Sequence, residues 1–122
     1  KSFYNNISKH KKIFRDLILN LRNDKKNIIG YGASTKGNII LQFCNLNSKH
    51  IPYIAEVNKF KFNRYTPGSK IKIISEYEAK KKSPDYFLVL PWHFKNYIIK
   101  KENKYLRRGG KLIFPLPDID II

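Results

Sequence analysis

The sequence has one cysteine, no methionine and few acidic residues, and each shortage narrows what the chain can be. Cys44 has no partner for an internal disulfide, and the cysteine and histidines lack the spacing of a zinc site. No apolar run approaches the roughly 18 residues that a membrane-spanning helix requires, and no stretch has the pattern of a signal peptide. We therefore expect a cytoplasmic protein without disulfides, metal or membrane contact.

Methionine is missing even from the first position, because the sequence begins with KSFYNN. This start predicts a piece of a longer protein, whose function depends partly on upstream segments. The 122 residues are enough for one domain with a modest core. We expect residues 1–24 to form a linking helix and residues 25–122 to form the domain.

Acidic residues are outnumbered: 25 lysines and arginines stand against 9 aspartates and glutamates, which gives a formal net charge of +16. This charge is compatible with nucleic-acid binding, with a small anionic ligand such as a nucleoside diphosphate, or with lysines that are only solvated. The lysines are scattered along the chain, and no familiar nucleic-acid motif is present. Nucleic acid is therefore an unlikely partner, and it is kept as an alternative.

The apolar pattern predicts a Rossmann-like α/β fold. Residues 5–22 carry an apolar stripe with helical spacing, and beyond them short apolar runs alternate with helical segments. This alternation indicates parallel crossovers, so we expect a five-stranded, mainly parallel sheet in the order 3-2-1-4-5 with flanking helices. The ligand crevice would lie at the carboxyl ends of strands 1 and 4. The predicted strands cover residues 27–32, 51–57, 71–75, 86–90 and 111–114, and the later helices cover 35–46, 76–82 and 95–108.

A glycine loop joins the first strand to the following helix. Gly30, Gly32 and Gly37 give the spacing G-x-G-x-x-x-x-G, which is neither the dinucleotide fingerprint nor a Walker A loop. The dinucleotide fingerprint would need a glycine at the position of Thr35. A Walker A loop would need lysine and a hydroxyl residue after its last glycine. The loop is therefore assessed on its physical properties rather than on a motif.

These properties suit an anion. Gly32 permits a positive φ and a close approach of the backbone, and residues 33–38 open a helix whose free N–H groups favour negative charge. Ser34 and Thr35 offer hydroxyl donors, and Lys36 adds a full positive charge. The alternative is a tight strand-to-helix turn capped by a hydroxyl group, without any ligand.

Residues after the second strand are predicted to reach the same edge of the sheet. Glu56 follows that strand, where an acid often accepts hydrogen bonds from ribose hydroxyls, although it could equally well be solvated. Asn58 lies close behind it. Arg64 and Tyr65 follow in a loop, where the guanidinium fork could bind a diphosphate.

Three further candidates, Pro91, Trp92 and His93, follow the fourth strand. The indole of Trp92 could stack on a nucleobase, or it could close the top of the core. His93 is a candidate for a general base, although a lone histidine in a loop usually has another role. No spacing of serine, histidine and aspartate indicates a catalytic triad.

Four segments together resemble the C-terminal domain of sugar C-methyltransferases. These enzymes use S-adenosylmethionine to methylate a keto-deoxysugar carried on a nucleoside diphosphate. The resemblance covers residues 27–122 in order, and the preceding helix fits a connection from a methyl-donor domain. The segments are GYGASTKGN, NRYTPGSKI, DYFLVLPWHFK and GGKLIFPLPDIDII.

The resemblance implies that different domains of a longer enzyme have different roles. An upstream domain would bind S-adenosylmethionine and carry most catalytic residues, whereas this domain would hold the nucleotide part of the sugar substrate. The isolated chain should then methylate nothing. The positions that would face the diphosphate are Gly32, Ser34, Lys36, Gly37 and Asn38, and Ala33 of the same loop is also expected to bind the substrate. Those that would approach the nucleoside or sugar are Asn58, Arg64, Tyr65 and Trp92.

The sequence departs from the family pattern at three places. Asn63 replaces the glycine that usually precedes the Arg-Tyr pair, and asparagine tolerates the positive φ that this turn requires. Val57 replaces an arginine, so a contact from that side chain is lost. His93 stands where asparagine is common. Besides the substrate-binding hypothesis, a basic nucleic-acid-binding domain and a purely structural interaction module remain open.

Overall fold

The computed structural model describes residues 2–122, with side chains described from residue 6 onward. Helices pack on both faces of a single sheet. The helices are α1 (Ser2–Asn23), α2 (Thr35–Phe43), α3 (Glu76–Lys81), α4 (Lys95–Lys101) and α5 (Asn103–Arg107), and two 3₁₀ turns cover Lys59–Lys61 and Trp92–Phe94. The strands are β1 (Ile28–Tyr31), β2 (Tyr53–Glu56), β3 (Lys72–Ser75), β4 (Tyr86–Val89), β5 (Lys111–Phe114) and β6 (Asp120–Ile121).

The sheet order is β3-β2-β1-β4-β5-β6. The first five strands are parallel and follow one another as predicted, but the prediction of five strands is wrong because a sixth extends the order at one edge. This sixth strand runs antiparallel to β5, with Ile113 opposite Ile121 and Phe114 opposite Asp120. Asp118 and Asp120 alternate with apolar residues, which is typical of an exposed edge or a partner-facing strand, but the place of this strand in the sheet depends on its pairing with β5.

Two helices end at other residues than predicted, because contacts within the fold determine where they end. The predicted helix over 95–108 is divided between α4 and α5 at Glu102, whose φ of −98° and ψ of 24° leave the helical region. Its carboxylate points inward and is paired there. α2 ends at Phe43, earlier than predicted, because Asn45 adopts a positive φ of 54°. The local sequence shows neither the inward pairing of Glu102 nor the positive φ of Asn45.

One face of the sheet is covered by α1 and α2. Phe14 and Ile18 of α1 and Leu41 of α2 are completely buried together with Ile28 and Ile54 of the sheet. The N-terminal helix therefore shares the core of the domain. A second cluster, built on Phe87, Val89, Ile98, Leu112 and Phe114, lies under α3, α4 and α5 on the opposite face.

β1 and β4 lie at the centre of the sheet, and all four residues of β1 are buried. Their carboxyl ends open onto the glycine loop and the 3₁₀ turn at Trp92, which brings both predicted site segments to one edge. No helix within residues 2–122 has the length and hydropathy needed to cross a membrane.

Candidate functional site

A cavity of about 610 Å³, here called the edge cavity, opens at the carboxyl edge of the parallel strands. The glycine loop forms one wall through Gly32 and Ser34, and Glu56 and Val57 come from the end of β2. The opposite wall belongs to the segment after β4. It consists of Pro91, Phe94, Tyr97, Ile98 and Lys101. This is the crevice position at which parallel α/β sheets bind ligands.

A smaller cavity of about 230 Å³, here called the loop cavity, lies beside α2. It shares Ala33, Ser34 and Lys61 with the edge cavity, so the glycine loop runs between the two. Its remaining lining is richer in hydrogen-bonding groups and includes Thr35, Asn38, Arg64, Tyr65 and Thr66.

The glycine loop has the backbone that its sequence predicts. Gly32 has a φ of +84°, and a Cβ atom there would lie 2.7 Å from Cδ of Pro91. Both the conformation and the proximity of Pro91 therefore require glycine at this position. Pro91 itself lines the wall of the edge cavity that faces the glycine loop.

Ser34 is the N-cap of α2 and accepts a hydrogen bond from the Gly37 N–H at 3.0 Å. A Cβ on Gly37 would lie 2.3 Å from Cβ of Leu90, closer than real side chains approach. Gly37 thus allows α2 to pack tightly against the end of β4. Its predicted contact with a diphosphate stays a prediction.

Glu56 and Lys61 hold the loop at Ala33. The Glu56 Oε1 atom accepts the Ala33 N–H at 2.8 Å, while Oε2 accepts the N–H groups of Asn58 at 2.9 Å and Val57 at 3.1 Å. Lys61 donates from Nζ to the Ala33 carbonyl at 2.8 Å. The predicted role of Glu56 as an acceptor for ribose hydroxyls would have to compete with these three bonds.

Sequence analysis did not identify Lys61 as a site residue. It is one of many lysines, and its neighbours in the chain carry no motif that distinguishes it. Its position depends on the 3₁₀ turn after β2, which Asn58 caps by accepting the Phe60 N–H at 3.0 Å. Only the spatial proximity of this turn to the glycine loop could have revealed it.

Asn38 has both ends of its side chain engaged within the protein. Its Nδ2 donates to the Pro67 carbonyl at 2.9 Å, and its Oδ1 accepts from the Ser69 hydroxyl at 2.6 Å. These bonds fasten α2 to the Pro-Gly turn. A contact between this amide and a diphosphate was predicted and would require some of these bonds to rearrange.

The loop that carries Arg64 and Tyr65 keeps its expected turn. Asn63 has a φ of 64°, as predicted for the asparagine that replaces a glycine. Both Arg64 and Tyr65 are exposed and line the loop cavity. The structure thus brings them close to Ser34 and Lys61, while their contacts with a substrate stay a prediction.

Trp92 does not line either cavity. Its ring packs against the second core cluster, and its indole N–H is buried without a hydrogen-bond partner among the described residues. The aromatic residues that do line the edge cavity are Tyr31, Phe94 and Tyr97, and the exposed fractions of the last two are 57% and 67%.

His93 and Lys36 are exposed and contribute to neither cavity. The His93 ring lies between its chain neighbours Trp92 and Phe94, with ring-centroid distances of 5.4 Å and 4.3 Å. Among residues 6–122, no side chain is hydrogen-bonded to the His93 ring as a partner for acid–base chemistry. Within the described residues, no group of three histidine, cysteine or acidic side chains is arranged to hold a metal ion.

A hydrogen bond and two ion pairs involve the Tyr31 side of the edge cavity. Tyr31 donates from its hydroxyl to Oε2 of Glu102 at 2.5 Å, and Lys80 pairs with Oε1 at 2.9 Å, although Glu102 is only 2% exposed. Burial, reinforced by this hydrogen bond to a carboxylate, raises the pKa of Tyr31 far above its usual value. Lys101 pairs with Glu76 at 3.1 Å beside the same ring.

Two comparisons with known proteins agree with one another. The family model described as "C-methyltransferase C-terminal domain" matches residues 1–117. The C-methyltransferase NovU of Streptomyces niveus is 36% identical over 108 residues, which cover 88% of this chain and 26% of that protein. The chain spans about a quarter of the length of this curated relative. On this evidence, the chain belongs to the C-methyltransferase C-terminal domain family.

Proposed function

We propose that the chain is the substrate-binding domain of an S-adenosylmethionine-dependent sugar C-methyltransferase. In this role it holds the nucleoside diphosphate of a keto-sugar and positions the sugar for methylation at carbon. The observation that carries the proposal is the edge cavity, which lies against the glycine loop of a family member.

The lining of the edge cavity suits a nucleoside. Its volume falls within the range of roughly 300–1,000 Å³ that is usual for small-molecule sites. Phe94 and Tyr97 present exposed aromatic rings at its rim, and Pro91 and Ile98 add apolar surface. A planar base can stack on such rings with a gain of about 1–3 kcal/mol.

The acid that would hold the ribose of the methyl donor is already engaged in this chain. In nucleotide-binding sheets of this kind, the acid after the second strand accepts from the ribose hydroxyls of the cofactor. Glu56 occupies that position, but three backbone N–H groups already bind its carboxylate. We therefore propose that S-adenosylmethionine, which would supply the methyl group, binds to another part of the parent protein.

The contribution of this chain would then be orientation. Contacts with the nucleotide, remote from the reacting carbon, hold the sugar in the geometry that methyl transfer needs. No residue of this chain is assigned a proton-transfer step.

Calorimetric titration of the full-length gene product with dTDP, UDP, GDP and CDP tests this proposal. We expect saturable binding of one diphosphate, at both low and high salt, and little response to an unrelated oligonucleotide. Silence with all four diphosphates would overturn the proposal. Binding only to the oligonucleotide, with a steep salt dependence, would favour a nucleic-acid function instead.

A further inference from the structure

The two cavities on either side of the glycine loop share a cation. Lys61 lines both, together with the loop residues Ala33 and Ser34. A group bound beside Ala33 and Ser34 would therefore contact the Lys61 ammonium group, whichever of the two cavities it occupied.

The ammonium group of Lys61 is fixed and still has donors available. One N–H bonds to the Ala33 carbonyl at 2.8 Å, which leaves two of the three for another acceptor. The residue is half-buried, and none of the ion pairs formed by residues 6–122 includes it. Two acids line the edge cavity: Glu56 is bound by backbone N–H groups, and Glu76 is paired with Lys101 at 3.1 Å. A half-buried charge without a counterion favours an anionic ligand.

Other cations near the site are less well placed. Lys36 is exposed and lines neither cavity, although the sequence made it the predicted phosphate cation. Lys101 lines the edge cavity but is paired with Glu76 at 3.1 Å. Arg64 lines only the loop cavity.

We propose that Lys61, and not Lys36, binds the diphosphate of the substrate. The inference rests on the proposed function, since it assigns a residue to the anionic part of that substrate. Because Lys61 also holds the Ala33 carbonyl, it connects the diphosphate directly to the glycine loop.

The test compares Lys61→Gln with Lys59→Gln in the full-length protein. Glutamine keeps a donor for the Ala33 carbonyl but removes the charge. Lys59 belongs to the same 3₁₀ turn, is exposed and lines neither cavity, so it is a matched control. Titrations use the nucleoside diphosphate that the wild type prefers and the corresponding nucleoside without phosphates.

We expect Lys61→Gln to weaken diphosphate binding by about tenfold or more, as the loss of a charge-assisted hydrogen bond does, and to leave nucleoside affinity unchanged. Lys61→Arg should recover most of the loss, and Lys59→Gln should bind like the wild type. An equal loss for nucleoside and diphosphate would show that Lys61 only supports the loop, and this would overturn the inference. A loss confined to Lys36→Gln would overturn it as well.

The two proposals fail in different ways. If the wild-type protein binds one diphosphate and Lys61→Gln binds it equally well, the assignment of Lys61 is wrong while the substrate-binding function stands. If the wild-type protein binds none of the four diphosphates, the proposed function itself is wrong.

Discussion

The Glu56 carboxylate accepts the Ala33 backbone N–H at 2.8 Å, so the end of β2 holds the loop that follows β1. The same carboxylate accepts two N–H groups of its own chain segment, at Val57 and Asn58. One acidic side chain therefore sets the position of two neighbouring loops at the candidate site.

Replacing Glu56 with glutamine should destabilise this arrangement. The amide NH₂ would face at least one backbone N–H, because both oxygens of the native carboxylate act as acceptors. We expect the free energy of unfolding to fall by about 1.5–3 kcal/mol, measured by urea denaturation. Asp24→Asn, at an exposed turn, is the control and should change it by less than about 0.5 kcal/mol. Equal stability of the two variants would contradict this role for Glu56.

Gly37→Ala should reduce stability through overpacking. The new Cβ would lie 2.3 Å from Cβ of Leu90, so α2 would have to move away from β4. We expect a loss of about 1–3 kcal/mol, seen as a lower melting temperature in thermal unfolding followed by circular dichroism. Lys36→Ala, in the exposed preceding position, provides the comparison and should melt close to the wild type. An unchanged melting temperature for Gly37→Ala would mean that the helix and strand are not packed this closely.

Tyr97→Ala should weaken binding of the nucleoside part of the ligand. Tyr97 lines the edge cavity and is 67% exposed, and a stacked base loses about 1–3 kcal/mol when such a ring is removed. Tyr77→Ala is a matched control, because Tyr77 is 72% exposed and lies on α3 outside the cavity lining. Titration with the nucleoside would show a higher Kd for Tyr97→Ala alone; similar Kd values for both variants would place the base elsewhere.

Alkaline pH should destabilise the protein partly through Tyr31. Its pKa is raised in the folded state by burial and by the hydrogen bond to Glu102, so the folded state keeps a proton that the unfolded chain releases. The stabilising contribution is complete below the ordinary tyrosine pKa of about 10 and is lost progressively above it, by about 1.4 kcal/mol per pH unit.

The measurement is the free energy of unfolding of the wild type and Tyr31→Phe between pH 9 and 11, a range chosen around the ordinary tyrosine value of about 10. The variant should show a shallower decline above pH 10, because phenylalanine has no proton to lose. Tyr77→Phe should decline as the wild type does. Parallel curves for all three proteins would indicate that Tyr31 is not buried against Glu102.

The order of the parallel strands could be predicted because local patterns determine it. Short apolar runs between helical segments indicate crossovers, and Asn63 adopts the positive φ that its place before the Arg-Tyr pair suggested. The alternation at Asp118 and Asp120 indicated an exposed edge or a partner-facing strand, but neither its antiparallel pairing with β5 nor the division of the last helix at Glu102 was predictable in this way. The pairing with β5 brings Ile121 opposite Ile113 across a short connection, whereas Glu102 is bound by Tyr31, which lies far away in the chain.

The same distinction applies to the candidate site. The glycine loop was found from its spacing, and its helix cap at Ser34 follows from the residue type. Lys61 was missed, and the side chain of Asn38, whose contact with a ligand stays a prediction, binds Pro67 and Ser69. A sequence shows which side chains have donors and acceptors, but only the fold shows which of them are already used.

The two hydrogen bonds that Glu56 and Lys61 form with the backbone of Ala33 affect the free energy of ligand binding. A loop that Glu56 and Lys61 hold before any ligand arrives does not need to be ordered when one binds. The conformational entropy of this segment is then lost during folding rather than during association. Rigid recognition of this kind should appear as a fast, single-step encounter, with little of the slow rearrangement that a disordered phosphate loop would impose.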